Sequence, residues 1–235
     1  MHDDRGVRAI SIFDLDRTLT RRPTYLLFLL TGAARTAPLR LLFLPLILIA
    51  MIGHKLGLIG RKPLKEFMQR LLLGSKINRI SLAKLTNRFV CRLLENGLYP
   101  SGLAQLATDR TEGRQLILAT AAPDFYADAI AARLGFDAVV STRCRLDADH
   151  LFSCIEGANC YGRDKLHAIE AWLWRQGWMR DRVHVRFYSD DRSDLPTFDW
   201  CDEPVVVNAR ASFATWAGKR GWAIADWRTL PITAS

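Results

Sequence analysis

Residues 7–18 read VRAISIFDLDRT. The first seven are rich in β-branched side chains, a run suited to a buried strand. The pattern breaks at Asp14-Leu15-Asp16-Arg17-Thr18. In an open parallel sheet the carboxyl ends of strands face the ligand crevice. Carboxylates at i and i+2 on such an end can divide two tasks, one as nucleophile and one as general acid and base. Solvated loop acids are common, so the pair gains meaning only from what the rest of the chain sets beside it.

Downstream, the strand signature returns at 115–120 (QLILAT), 138–141 (AVVS), 183–188 (VHVRFY) and 204–207 (PVVV). Residues 124–134, 163–176 and 211–219 have helical composition, with Gly135, Gly177 and Gly221 standing past their ends, as helix stops do. This alternation predicts an α/β fold, a mostly parallel Rossmann-like sheet covered on both faces. Residues 21–98 differ, because no strand signature occurs there. Leu64, Phe67, Met68, Leu71 and Leu72 mark one face of a helix over 63–73, and Leu82, Leu85, Phe89 and Leu93 mark a second. The expected organisation is a core of residues 1–20 and 99–235, with an all-helical cap, 21–98, inserted after the first strand.

Charge divides the same way. The chain of 235 residues carries +9 at pH 7, yet residues 21–98 hold 14 Lys and Arg against two acids, Glu66 and Glu95. Such asymmetry points to an anionic partner: phospholipid, nucleic acid or phosphorylated substrate. The most apolar stretch, 41–53 (LLFLPLILIAMIG), lies inside this basic segment and contains Pro45. It falls short of the roughly 18 residues of a simple membrane span, and basic residues on both sides give no orientation signal. Three readings stay open: a buried helix or hairpin of the cap, an element lying in an anionic bilayer surface, and a span. Nucleic acid is not expected as a partner, since the basic residues alternate with Leu and lack the interleaved aromatics that stack bases. Five cysteines without a CxxC pair read as reduced thiols. The polar N-terminus reads as lacking a cleaved signal peptide. All seven tryptophans lie between Trp172 and Trp227 and read as core packing.

Three later features join Asp14 and Asp16. Thr120 ends the QLILAT strand, where a hydroxyl can bind phosphate. Lys165 opens a helix, where a cation can neutralise phosphoryl charge. Asp190, Asp191 and Asp194 crowd the end of the VHVRFY strand; such carboxylates repel one another unless a cation intervenes, and oxygen ligands favour a hard ion such as Mg²⁺.

DxDxT, then Thr120, then Lys165, then the acidic SDDRSDLP run resembles, in that order, the haloacid dehalogenase (HAD) superfamily. The insert after the first motif and the form of the last resemble its subfamily IB, the phosphoserine-phosphatase-like branch. The resemblance implies Asp14 as nucleophile and metal ligand, and Asp16 as general acid and base, ligating metal through its backbone carbonyl. It implies Thr120 and Lys165 as phosphate-binding, Asp190 as a direct Mg²⁺ ligand and Asp194 as its support. Asp191 receives no role. Relatives mostly carry Gly where Arg17 stands here. Phosphoserine phosphatases of this branch carry an acid nine positions after the nucleophile, where this chain has Pro23 behind Arg21 and Arg22. The basic, leucine-rich cap resembles that of bacterial phosphatidylglycerophosphatase C, which implies a lipid phosphate substrate, an anionic membrane surface as partner, and a cytoplasmic location at the inner face of the membrane. A soluble phosphatase of the phosphoserine type is the alternative. A non-catalytic, membrane-associated scaffold is a further one, opposed by the intact Asp14, Asp16, Lys165 and Asp190.

Overall fold

The computed structural model describes residues 7–229; the polar N-terminal residues behind the signal-peptide reading lie outside them. In chain order the elements are β1 (Arg8–Phe13), α1 (Thr24–Thr36), a 3₁₀ helix (Pro38–Phe43), α2 (Leu44–Lys55), α3 (Arg61–Leu72), β2 (Lys76–Asn78), α4 (Arg79–Asn96), α5 (Pro100–Thr111), β3 (Gln115–Pro123), α6 (Asp124–Leu134), β4 (Ala138–Thr142), β5 (Cys144–Leu146), β6 (His150–Ile155), α7 (Arg163–Arg175), β7 (Val183–Ser189), α8 (Leu195–Trp200), β8 (Glu203–Val207), α9 (Ala211–Gly218) and β9 (Ala223–Ala225). One parallel sheet of six strands, ordered β4-β3-β1-β7-β8-β9, forms the core. Its central strands β3, β1 and β7 bury apolar side chains on both faces, because both faces are covered.

Alternation along β1 divides those faces. Ile10 and Ile12 pack with Ile169 and Leu173 of α7, Phe198 of α8 and Phe213 of α9. Phe13 packs the other way, with Leu106 of α5, Ile130 of α6 and the cap. The cap therefore shares a hydrophobic cluster with one face of the core. An aromatic group joins them: Phe28 of α1 stacks on Tyr126 of α6 with centroids 4.9 Å apart, and Phe89 of α4 meets Tyr126 at 5.6 Å.

The insert is helical apart from β2. That strand pairs antiparallel with β6, and β6 with β5, as a separate three-stranded sheet. A three-residue strand has no periodicity to detect, so β2 left no readable signal; its partner hairpin supplies the reason it is extended. β5 and β9, likewise three-residue edge strands, escaped the sequence reading for the same reason, and the six-residue β6 between β2 and β5 escaped it too. Trp174 departs from the core-packing expectation, being 81% exposed.

The stretch 41–53 is not buried in the cap. Of α2, only Ile47 and Ala50 are buried. Leu42, Leu46, Leu48, Ile49 and Ile52 are between 49% and 75% exposed. Nor does Pro45 interrupt the run. It sits in the first turn of α2, where its missing N–H costs nothing. The 3₁₀ helix and α2 thus form a continuous apolar rod from Pro38 to Lys55, 18 residues long with a mean hydropathy of 1.5. The rod packs on α3, which carries Arg61, Lys62, Lys65, Glu66 and Arg70. By length and composition alone the rod is able to cross a membrane, while taking so charged a helix into hydrocarbon beside it is costly.

Candidate active site

β1 delivers Asp14 to the carboxyl edge of the sheet, where its amide donates to the Tyr188 carbonyl of β7 at 2.9 Å. Its side chain is held from two sides. Lys165 Nζ donates to Oδ1 at 2.8 Å, and Thr18 Oγ1 to Oδ2 at 3.2 Å. Lys165 also donates to Asp194 Oδ2 at 2.6 Å, and Ser189 Oγ donates to the same oxygen at 2.7 Å. Asp14, Lys165 and Asp194 are all buried. The helix that carries Lys165 starts at Gly162, whose φ of +59° belongs to the left-handed region that favours glycine.

Burial opposes the charge on Lys165, but Asp14 and Asp194 outweigh it and hold the ammonium protonated well above its ordinary range. Asp14 moves the opposite way for an acid. Burial pushes its carboxyl up to about 7, with Lys165 pulling it down and Asp194 pushing it up. Asp190 rises to about 8, from burial first and then from the Asp14 charge. Lys165 thus serves two of the clustered carboxylates, Asp14 and Asp194, while the Arg17 charge acts on Asp190. Asp194 Oδ1 is buried without a hydrogen-bond partner among the described residues, and such an orphan calls for a missing partner.

Asp16 points away from this cluster, toward the cap. Its Oδ1 accepts from the Thr24 amide at 2.8 Å and the Thr24 hydroxyl at 2.7 Å, at the head of α1. Burial raises its pKa and these two bonds moderate the rise. Arg17, directly after Asp16, adopts a φ of +63°, and the carbonyls of Arg17 and Thr18 accept from Asn208 Nδ2 at 2.9 and 3.2 Å. That left-handed conformation is one glycine adopts more readily than arginine.

A cleft of about 280 Å³ opens above, lined by Asp14, Asp16, Thr120, Lys165, Asp190 and Asp194. Every site residue named from the sequence is therefore brought to one place. Thr120 lies at a register break inside β3, rather than at its end, and its Oγ1 accepts from the Ala122 amide at 3.0 Å. Asp191 instead accepts from the Ser193 amide at 2.8 Å, a local turn contact.

Sequence reading missed two groups. Arg61 faces the cleft with its guanidinium 3.5 Å from the Tyr161 ring centroid. Lys65, one turn further along α3, is buried without a carboxylate partner among the described residues. Its Nζ crosses to the core and donates to the Ala121 carbonyl and to Asn159 Oδ1, both at 2.6 Å. Their i and i+4 spacing was a readable signal, lost because the helix was started at Pro63 and not at Arg61.

A family model for haloacid dehalogenase-like hydrolases matches residues 12–199. The chain belongs to that family. Among its relatives is the phosphoserine phosphatase SerB1 of Mycobacterium tuberculosis, 30% identical over 162 residues that cover 64% of this chain and 52% of that protein. A crystal structure of a Bordetella pertussis protein of unknown function superposes with a TM-score of 0.84 at 22% identity, covering 94% of this chain and all of that one. A substrate-bound phosphoserine phosphatase superposes with a TM-score of 0.61 at 14% identity, over 94% and 93% of the two chains. At such identities the two structures establish the HAD fold and leave substrate choice to this chain's own residues.

Proposed function

We propose that this HAD hydrolase is a phosphoric monoester hydrolase acting through an aspartyl-phosphate on Asp14, with an anionic amphiphile such as phosphatidylglycerophosphate as substrate. In this reading residues 1–20 and 99–235 are the catalytic core, and 21–98 is the cap that meets the substrate. Lys165 and Thr18 fix the Asp14 carboxylate from both sides, so it attacks phosphorus from a set direction. The bond from phosphorus to the leaving oxygen breaks, and Asp16 gives that oxygen its proton. Asp16 then takes a proton from water as the water attacks phosphorus, the bond to Asp14 breaks, and inorganic phosphate leaves. Thr120 and Lys165 hold the phosphoryl oxygens throughout.

Mg²⁺ fits this donor set. Among the described residues no three His, Cys, Asp or Glu side chains converge on one point, but the expected set needs only the Asp14 and Asp190 carboxylates with the Asp16 carbonyl. The raised Asp190 carboxyl and the unpartnered Asp194 Oδ1 both favour a hard cation there. When bound, it would neutralise charge on the phosphoryl oxygens.

One observation carries the substrate assignment: the exposed apolar face of α2, in a stretch without an acid from Arg17 to Lys65. Exposed apolar surface flanked by cations suits an element lying in an anionic bilayer surface, which would place the enzyme at the inner face of the cytoplasmic membrane. The similarity to SerB1 favours a second reading, a soluble monoester such as phosphoserine. Against it, Pro23 lines the cleft where an amine-binding acid is expected, and Arg17 and Arg61 line it too.

Phosphate release from phosphatidylglycerophosphate in mixed micelles and from phosphoserine, with Mg²⁺ or EDTA, tests both. Release from the lipid, lost with EDTA and in Asp14→Asn, supports the proposal. Preference for phosphoserine removes the lipid reading and keeps the mechanism. Full activity of Asp14→Asn refutes the mechanism.

A further inference from the structure

The cap holds a second depression, about 610 Å³, between α1 and α4 at the hinge where the chain enters and leaves the core. Arg21, Arg22, Arg35, Arg88 and Arg92 line it, with Glu95 as the single acid. It shares no lining residue with the catalytic cleft. The arginines converge by construction: Leu27, Thr31 and Arg35 fall on one stripe of α1, and Arg88, Arg92 and Glu95 on one stripe of α4. Arg21 is already fixed, its Nε donating to the Leu98 carbonyl at 3.1 Å and its guanidinium 5.3 Å from the Tyr99 ring centroid.

Among the described residues none of these five guanidinium groups has a carboxylate within ion-pair distance. On the core, by contrast, Arg180 pairs with Asp202, Arg186 with Asp109 and Glu112, and Arg220 with Asp199. Five unpaired cations around one groove make a strongly positive concavity, and guanidinium forks match phosphate oxygens bidentately. The lining also has an apolar part that a bare anion would leave unused. Leu27 is 41% exposed there, above the buried Phe89 and Leu93.

We infer that the groove between α1 and α4 is a seat for an acidic phospholipid, its headgroup phosphate on the arginines and its first acyl carbons on Leu27. The ligand class is a phosphodiester lipid with net negative charge. A monoesterase cannot turn it over, so it is a resident of the cap and distinct from any substrate. The seat is separate from the α2 rod and independent of what the cleft hydrolyses.

Monomeric dihexanoyl phosphatidylglycerol, titrated calorimetrically into the full-length protein, tests this without a bilayer and hence without α2. Saturable binding is expected, at least tenfold tighter than dihexanoyl phosphatidylcholine. Arg88→Glu with Arg92→Glu should weaken it at least tenfold, and Leu27→Asp should weaken it too. The charge-matched control Arg182→Glu with Lys219→Glu, both on the core surface, should leave it within twofold. Unchanged circular dichroism and melting temperature keep the variants comparable. Absence of saturable binding, equal binding of the choline lipid, or unchanged affinity in Arg88→Glu/Arg92→Glu overturns the proposal. Displacement by inorganic phosphate at equal concentration, with Leu27→Asp unaffected, overturns it in favour of a bare anion site.

Discussion

Replacing Leu46 and Ile49 together by Gln puts the membrane reading of α2 at risk in one variant. The two side chains lie one turn apart on the rod and are 49% and 65% exposed. Full burial of a Leu or Ile side chain stabilises by about 1.5–3 kcal/mol. Scaled by those exposed fractions, transfer of both into the acyl boundary contributes roughly 2–3 kcal/mol. At about 1.4 kcal/mol per tenfold, the variant should partition onto vesicles about 30- to 150-fold more weakly. Gln keeps the helix propensity of the position, and exposed substitutions move stability by only about 0.5 kcal/mol, so the fold should persist. The assay is co-sedimentation with sucrose-loaded vesicles of phosphatidylglycerol and phosphatidylcholine, with turnover of a soluble aryl phosphate as the check on the cleft. Partition within threefold of wild type, with turnover intact, would refute the reasoning and leave α2 as a contact for something other than lipid.

Lys165→Met should abolish turnover and destabilise by about 3–5 kcal/mol, since it leaves two buried carboxylates without their cation; urea unfolding read by tryptophan fluorescence measures it. Lys65→Met should destabilise by about 1–3 kcal/mol, because Thr142 Oγ1, 2.8 Å from the Ala121 carbonyl and 3.2 Å from Asn159 Oδ1, has one proton and leaves one of the two acceptors unpaired. Its kcat/KM should also fall, as the residue after Thr120 loses its tie to the cap; unaltered kinetics would remove Lys65 from the site. In EDTA, stability should fall as pH rises from about 4 toward 8, because Asp14 and Asp190, raised to about 7 and about 8, keep protons in the folded state that the unfolded chain has already released. Mg²⁺ should raise the melting temperature more at pH 8 than at pH 5, and calorimetry showing an equal rise at both would count against a cation on these carboxylates.

The local chemistry of the site was legible because it follows chain order. A β-branched run ending in Asp14 and Asp16, a second ending at Thr120, a helix opening near Lys165 and a third strand ending in Asp190 all obey the one rule that sheet ends gather at a crevice. Sequence periodicity likewise determined the alternating core and the helical faces of α3 and α4. It could not show Lys65 reaching Ala121 and Asn159, which lie 56 and 94 residues away in the chain, since such a bond depends on how the cap sits on the core. Nor could it find β2, whose extended backbone comes from pairing with β6. The fate of residues 41–53 was the clearest division. Composition fixed them as apolar and basic-flanked, whereas only packing decided that α3 covers one side and nothing among the described residues covers the rest. An apolar helix buries whatever face its neighbours reach, and hydropathy alone does not say where those neighbours stand.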